Sequence, residues 1–250
     1  MSVPQTSFHY RLRLEHEGGA GLSLQRPGRT LRFDPARPVR SDDIVILTAP
    51  DPERTRAASI AAVAHTVVAP QPLLDALRPA DGQAAPATID GVKIELIPYE
   101  PAPVPPGALI GKAQGAAIKP GAAAKRLLAR ARAPRCAPQV TLLTFPGGER
   151  LAHLNLSIHR QAPAAWLADV QARAHGVDWL VIGVAPGQSE AVLAALPGFA
   201  AKKVLFTDFV ADTWRGLGRP VELLTPTADR AIASGVEGYV CVSQASYRFE

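Results

Sequence analysis

A chain of 250 residues that is 47% hydrophobic and 20% charged is long enough to bury a large core as one globular domain, spanning residues 1–250. No apolar run reaches the roughly 18 residues a membrane span needs, and the first stretch is polar or charged where a secretory leader would be apolar. These features exclude a membrane span and predict a cytoplasmic protein. The net charge of +5 is concentrated in one place: between Pro101 and Pro138 stand Lys112, Lys119, Lys125, Arg126, Arg130, Arg132 and Arg135 with no acid among them, so the remainder is weakly acidic.

In chain order, Phe8 to Leu14 alternates apolar and polar residues as a half-buried strand does, and Gly18-Gly19 breaks the pattern. Gly21 to Leu24 and Thr30 to Phe33 alternate likewise on either side of Arg26-Pro27-Gly28-Arg29, whose Pro-Gly centre predicts a hairpin. Ile44 to Leu47 reads as a buried strand running into the polar turn Thr48-Ala49-Pro50-Asp51-Pro52-Glu53-Arg54. That layout sets several polar side chains at a strand's carboxyl end, where α/β sheets usually keep their chemistry.

The alanine-rich segment to Ala64 predicts a helix packed through Ile60 and Val63, followed by a strand over Thr66–Ala69. A helix over Gln71–Leu77 has proline in its first turn, where the missing N–H costs nothing, and Leu73, Leu74 and Leu77 on one face. Val92 to Ile97 alternates as a strand ending at Pro98-Tyr99-Glu100. From Pro101 to Gly107 the prolines prevent helix and ladder alike, so residues 101–138 read as a Pro/Ala-rich basic insert. Within it Ala122 to Ala133 predicts a helix with Leu127 and Leu128 on one side and Lys125, Arg126, Arg130 and Arg132 around the rest.

Val140 to Phe145, a Pro-Gly-Gly turn and Arg150 to Leu154 predict a second hairpin. A helix begins at Pro163, packs through Trp166, Leu167 and Val170, and is ended by Gly176. Val177 to Val184 predicts a buried strand, Gln188 to Leu196 a helix and Lys203 to Thr207 a strand. Strands over Pro220–Leu224 and Tyr239–Ser243, with a helix near Thr227–Ser234 between them, close the chain.

The opening Gly-Ala-Gly-Leu-Ser-Leu, Pro-Gly-Arg-Thr-Leu-Arg-Phe-Asp-Pro and the strand into Thr48 resemble the metallo-β-lactamase superfamily, in the branch that includes ascorbate-6-phosphate lactonase. The resemblance covers the chain outside the insert and implies an α/β fold, the four-layer αββα sandwich of that superfamily. It also implies a metal site, and there this chain departs from the pattern. The family's Thr-His-x-His-x-Asp-His stands here as Thr48-Ala49-Pro50-Asp51-Pro52-Glu53-Arg54. Its histidine after the strand ending near Pro98 is matched by Glu100, its His-Ala-Gly-Asp-Thr by His153-Leu154-Asn155-Leu156-Ser157, and its final histidine by Asp208.

Zinc in such a site wants imidazoles and a shared carboxylate. An apolar Leu156 cannot bridge cations, and the Arg54 guanidinium brings positive charge to a cation's place. Paired with Glu53, Glu100 or Asp208, Arg54 would instead replace the metal as a cross-link between the halves. The expectation is therefore a vestigial binding site at Asp51, Glu53, Arg54, Glu100, His153 and Asp208, with no catalytic residue, no metal and no cofactor. The expected role is that of a binding, scaffold or regulatory protein. The rival is a metal-dependent hydrolase rebuilt on Asp51, Glu53, Glu100 and Asp208, whose oxygens suit magnesium or manganese. Lys125, Arg126, Arg130 and Arg132 form a basic patch that reads as a solvated cover or as the contact for a protein partner or acidic ligand; a homo-oligomer is compatible with either. Without an aromatic between Pro101 and Pro138 there is no stacking platform for single-stranded nucleic acid.

Overall fold

The computed structural model describes residues 13–18, 21–26, 28–48, 63–64, 66–99, 136–154, 157–209, 223–241 and 246–248. The opening strand, β1 (Arg13–Gly18), pairs antiparallel with β2 (Gly21–Gln25), and β2 with β3 (Thr30–Phe33). The Pro-Gly turn between β2 and β3 forms as expected, with Gly28 at φ 91° and the Arg26 N–H donating to the Arg29 carbonyl at 3.3 Å. From β3 the sheet continues in parallel through β4 (Ile44–Ile46), β5 (Thr66–Ala69) and β6 (Gly82–Ala84).

The second sheet repeats this plan. Antiparallel β7 (Ala87–Ile89), β8 (Val92–Pro98), β9 (Gln139–Thr144) and β10 (Arg150–Leu154) lead into parallel β11 (Trp179–Gly183), β12 (Lys203–Thr207) and β13 (Glu237–Cys241). The last described strand, β14 (Ser246–Arg248), returns to the first sheet beside β1, giving seven strands in each among the described residues.

Period-two burial sends alternate side chains to two different layers. Leu14, Leu24, Phe33, Ile46, Leu143 and Leu205 meet between the sheets. On the outer face of the first sheet, Val45, Leu47 and Val67 pack under α1 (Gln71–Leu77) through Leu73 and Leu74. Outside the second sheet, α2 (Ala164–Arg173), α3 (Ser189–Phe199) and α4 (Leu224–Ala233) cover Leu142, Leu154, Ile182 and Phe206. The layers are helix, sheet, sheet, helix, as the αββα expectation has it.

Several expectations need correction. The first strand runs on to Gly18 through Glu15-His16-Glu17, because the ladder with β2 continues past Leu14 around an irregularity between His16 and Gly18. Val63 is 49% exposed, and its neighbour Ala64 meets the sheet instead. The third helix continues three residues beyond Leu196 through Pro197, since Phe199 is fully buried and that anchor outweighs the one hydrogen bond proline removes. No strand forms at Leu223–Leu224: Leu224, Thr227, Ala228 and Ala231 recur at helical spacing on one buried face, and α4 begins there. The short strands β6, β7 and β14 were not anticipated.

Candidate functional site

The carboxyl ends of the parallel strands meet at one junction. Asp34, just past β3, takes the left-handed conformation (φ 37°) that Asp tolerates better than most residues. Its N–H donates to the Ile46 carbonyl at 3.0 Å, its Oδ1 accepts the Thr48 N–H at 2.8 Å, and its Oδ2 accepts the Thr48 hydroxyl. From the other sheet, the Gln139 N–H donates to the Thr48 carbonyl at 2.6 Å. Thr48 is therefore held by both sheets, and the register of Val140 against Leu154 places this tie at the carboxyl end of β10. All of Asp34 and Thr48 is buried.

Two of the sequence-selected residues lie among those described. His153 stands in mid-sheet on β10, in register with Thr141 on β9 and Val181 on β11. Its parity with Leu151 sends the imidazole between the sheets, where it is fully buried edge-on to Phe33 (ring centroids 4.8 Å apart) and Phe209 (5.2 Å). Asp208 directly follows β12 and is nearly buried. The Thr207 hydroxyl before it donates to the Ile182 carbonyl at 3.2 Å and steadies that strand end. Asp51, Glu53, Arg54, Glu100 and Leu156 lie outside the described residues, as does the basic patch of Lys125, Arg126, Arg130 and Arg132. Among the described residues, no three of His, Cys, Asp and Glu converge as a metal-holding group.

Sequence reasoning missed the cross-link that supports this end from outside the first sheet. Arg32 projects from β3 opposite Phe33 into a pocket under residues 34–43. Its Nε donates to Glu17 Oε1 at 2.8 Å and its Nη1 to Asp43 Oδ2 at 3.2 Å and to the Pro38 carbonyl at 2.5 Å. Glu17 Oε2 also accepts the N–H groups of Ala36 (3.2 Å) and Arg37 (3.3 Å), and Asp43 Oδ2 that of Arg40 (2.8 Å). Burial opposes the charge on Arg32, but the bonds and attraction of Glu17 and Asp43 outweigh it and raise the guanidinium pKa above its ordinary value. An internal arginine–carboxylate link was expected at Arg54; among the described residues Arg32 makes one. The phrase Phe33-Asp34-Pro35 was the signal for Asp34, whereas three charges scattered over β1, β3 and the loop before β4 offered none.

No family model matches the sequence, and neither does any curated protein. Solved structures do. Igni18, a novel metallo hydrolase from the hyperthermophilic archaeon Ignicoccus hospitalis, superposes with a TM-score of 0.65 at 13% identity, over 96% of this chain and 99% of that one. The isothiocyanate hydrolase from Delia radicum gut bacteria gives 0.59 at 11% identity, over 95% and 99%. This is the metallo-β-lactamase fold. CmlA, a diiron β-hydroxylase from Streptomyces venezuelae, shares it at a TM-score of 0.58 and 12% identity, over 96% of this chain and 54% of that one. At such identities the likeness concerns the metallo-β-lactamase fold and not its chemistry. No helix among the described residues is long and apolar enough to cross a membrane.

Proposed function

We propose that this chain is a non-catalytic protein on a metallo-β-lactamase scaffold, acting as a binding, scaffold or regulatory protein. One observation carries the reading: the support for the metal loop is kept while the donors it would present are replaced. Asp34, Thr48 and Gln139 still lock the strand end. Past Thr48 the sequence brings Ala49, which has no ligand atom, and Arg54, which brings a positive charge; Leu156 stands where a bridging carboxylate would be. His153, the one matched imidazole, is turned into the apolar layer between Phe33 and Phe209. This donor set does not fit the zinc pair of the fold family, which needs imidazole nitrogens and a shared oxygen.

A second reading rests on Asp208 at the end of β12, with Asp51, Glu53 and Glu100 at the other matched positions: a hydrolase rebuilt on oxygen ligands for magnesium or manganese. Metal analysis of tag-free protein, with thermal unfolding in the presence and absence of a strong chelator, separates the two. The non-catalytic reading expects substoichiometric metal and an unchanged melting temperature. Stoichiometric magnesium or manganese, together with ester or phosphodiester hydrolysis abolished by Asp208→Asn, would replace it with the second.

A further inference from the structure

On the helical side of the second sheet, α2 and α3 flank residues 158–162, which follow the carboxyl end of β10, and leave an open cleft of about 540 Å³. That volume lies within the range of small-molecule sites, roughly 300–1,000 Å³. Its wall is part apolar, with Ile158, Ala162 and Leu167 facing Ala191, Ala194 and Ala195, and part polar. The cleft is also built of fixed parts. Gln171 Nε2 donates to the Ala195 carbonyl at 2.9 Å and ties the two helices together. The Arg160 N–H donates to Gln188 Oε1 at 3.1 Å and the Ala162 N–H to the His159 carbonyl at 2.9 Å, so the third wall is an ordered turn.

Two opposite charges stand on the rim. Arg160 and Glu190 both line the cleft, and Glu190 is already paired two-to-two with Arg230 from α4, with Nη2 to Oε2 at 2.9 Å. The hydrogen bond from Arg230 and the attraction of both guanidiniums hold the Glu190 pKa below its ordinary value. Glu190 is hydrogen-bonded by Arg230 and only attracted by Arg160, whose guanidinium donors are left for a ligand. We propose that the cleft binds a short aliphatic carboxylate, its chain against the alanine wall and its carboxylate at the Arg160 guanidinium. The cleft is lined by none of the junction residues Asp34, Thr48, Gln139, His153 and Asp208, so the proposal does not rest on any chemistry there.

Hexanoate, with hexan-1-ol as its uncharged counterpart, is the probe, titrated calorimetrically into the full chain. Hexanoate should saturate one site and bind more tightly than hexan-1-ol. Arg160→Gln, on an exposed turn, should weaken it roughly tenfold. Ala194→Trp fills the space from an exposed position and should abolish binding with the melting temperature unchanged; Ala191→Leu is a milder filler should the tryptophan perturb folding. Absence of saturable binding at millimolar hexanoate, equal affinity for hexan-1-ol, or full affinity in both filled variants would each overturn the assignment.

Discussion

Arg32 is surrounded by acceptors from β1 and from the loop over residues 37–43, and its removal would leave Glu17 and Asp43 buried without a counter-charge. Breaking a buried pair in this way costs about 3–5 kcal/mol. Arg32→Ala is accordingly expected to lower the urea midpoint sharply, and an unchanged midpoint would show that the triad contributes nothing. A second charged link sits at the opposite ends of the parallel strands. Burial alone would raise the pKa of Asp178, but the Lys202 ammonium 2.6 Å from Oδ1 and the Arg150 N–H 2.7 Å from Oδ2 outweigh it and bring it below the ordinary carboxylate range. A depressed carboxyl adds stability that is complete above the unfolded-state pKa of about 4 and fades as pH falls through the lower folded-state value. Asp178→Asn should therefore be less stable than the parent by about 1 kcal/mol at neutral pH, a modest figure because the Lys202 partner is exposed. The gap should narrow as pH falls below about 4; a gap independent of pH would assign the loss to packing.

Strands and loops show why the Arg32 link can exist. Gly21 opens β2, and a Cβ there would lie 2.7 Å from the Ala36 nitrogen and 2.9 Å from its Cβ. The clash is with backbone, which cannot swing aside, and that same Ala36 N–H bonds Glu17. Gly21→Ala should push residues 34–37 off the sheet and cost about 1–3 kcal/mol, read as a lower denaturation midpoint. The elements carrying strong local signals were legible in the sequence: the Pro-Gly hairpin, the Val177–Val184 run and the leucine face of Gln71–Leu77. Elements held together by distant partners were not. β14 exists because Tyr247 pairs with Leu14, and the strand expected at Leu224 is a helix because its face packs on Phe206 and Ala195. The site divides along the same line. Thr48, His153 and Asp208 could be located by the motif frame, whereas the Arg32 link spans 15 residues to Glu17 and 11 to Asp43 and follows no local period.

Taken as one body, the chain places its two sheets back to back and passes from the first to the second between β6 and β7, while residues 101–135, between β8 and β9 of the second sheet, carry the excess positive charge. A partner drawn by that charge is held by long-range attraction that weakens with salt. Neutralising Lys125, Arg126, Arg130 and Arg132 together is expected to reduce partner recovery at low salt with little change in melting temperature; recovery with unaltered salt sensitivity would move the contact elsewhere. The pairing of β1 with β14 also has a bearing on biosynthesis. Arg13 is in register with Arg248, so β1 waits for its outer neighbour while all the residues between them are made. At roughly 5–20 residues per second that wait is on the order of ten seconds or more, with one edge of β1 open to strands of other nascent chains.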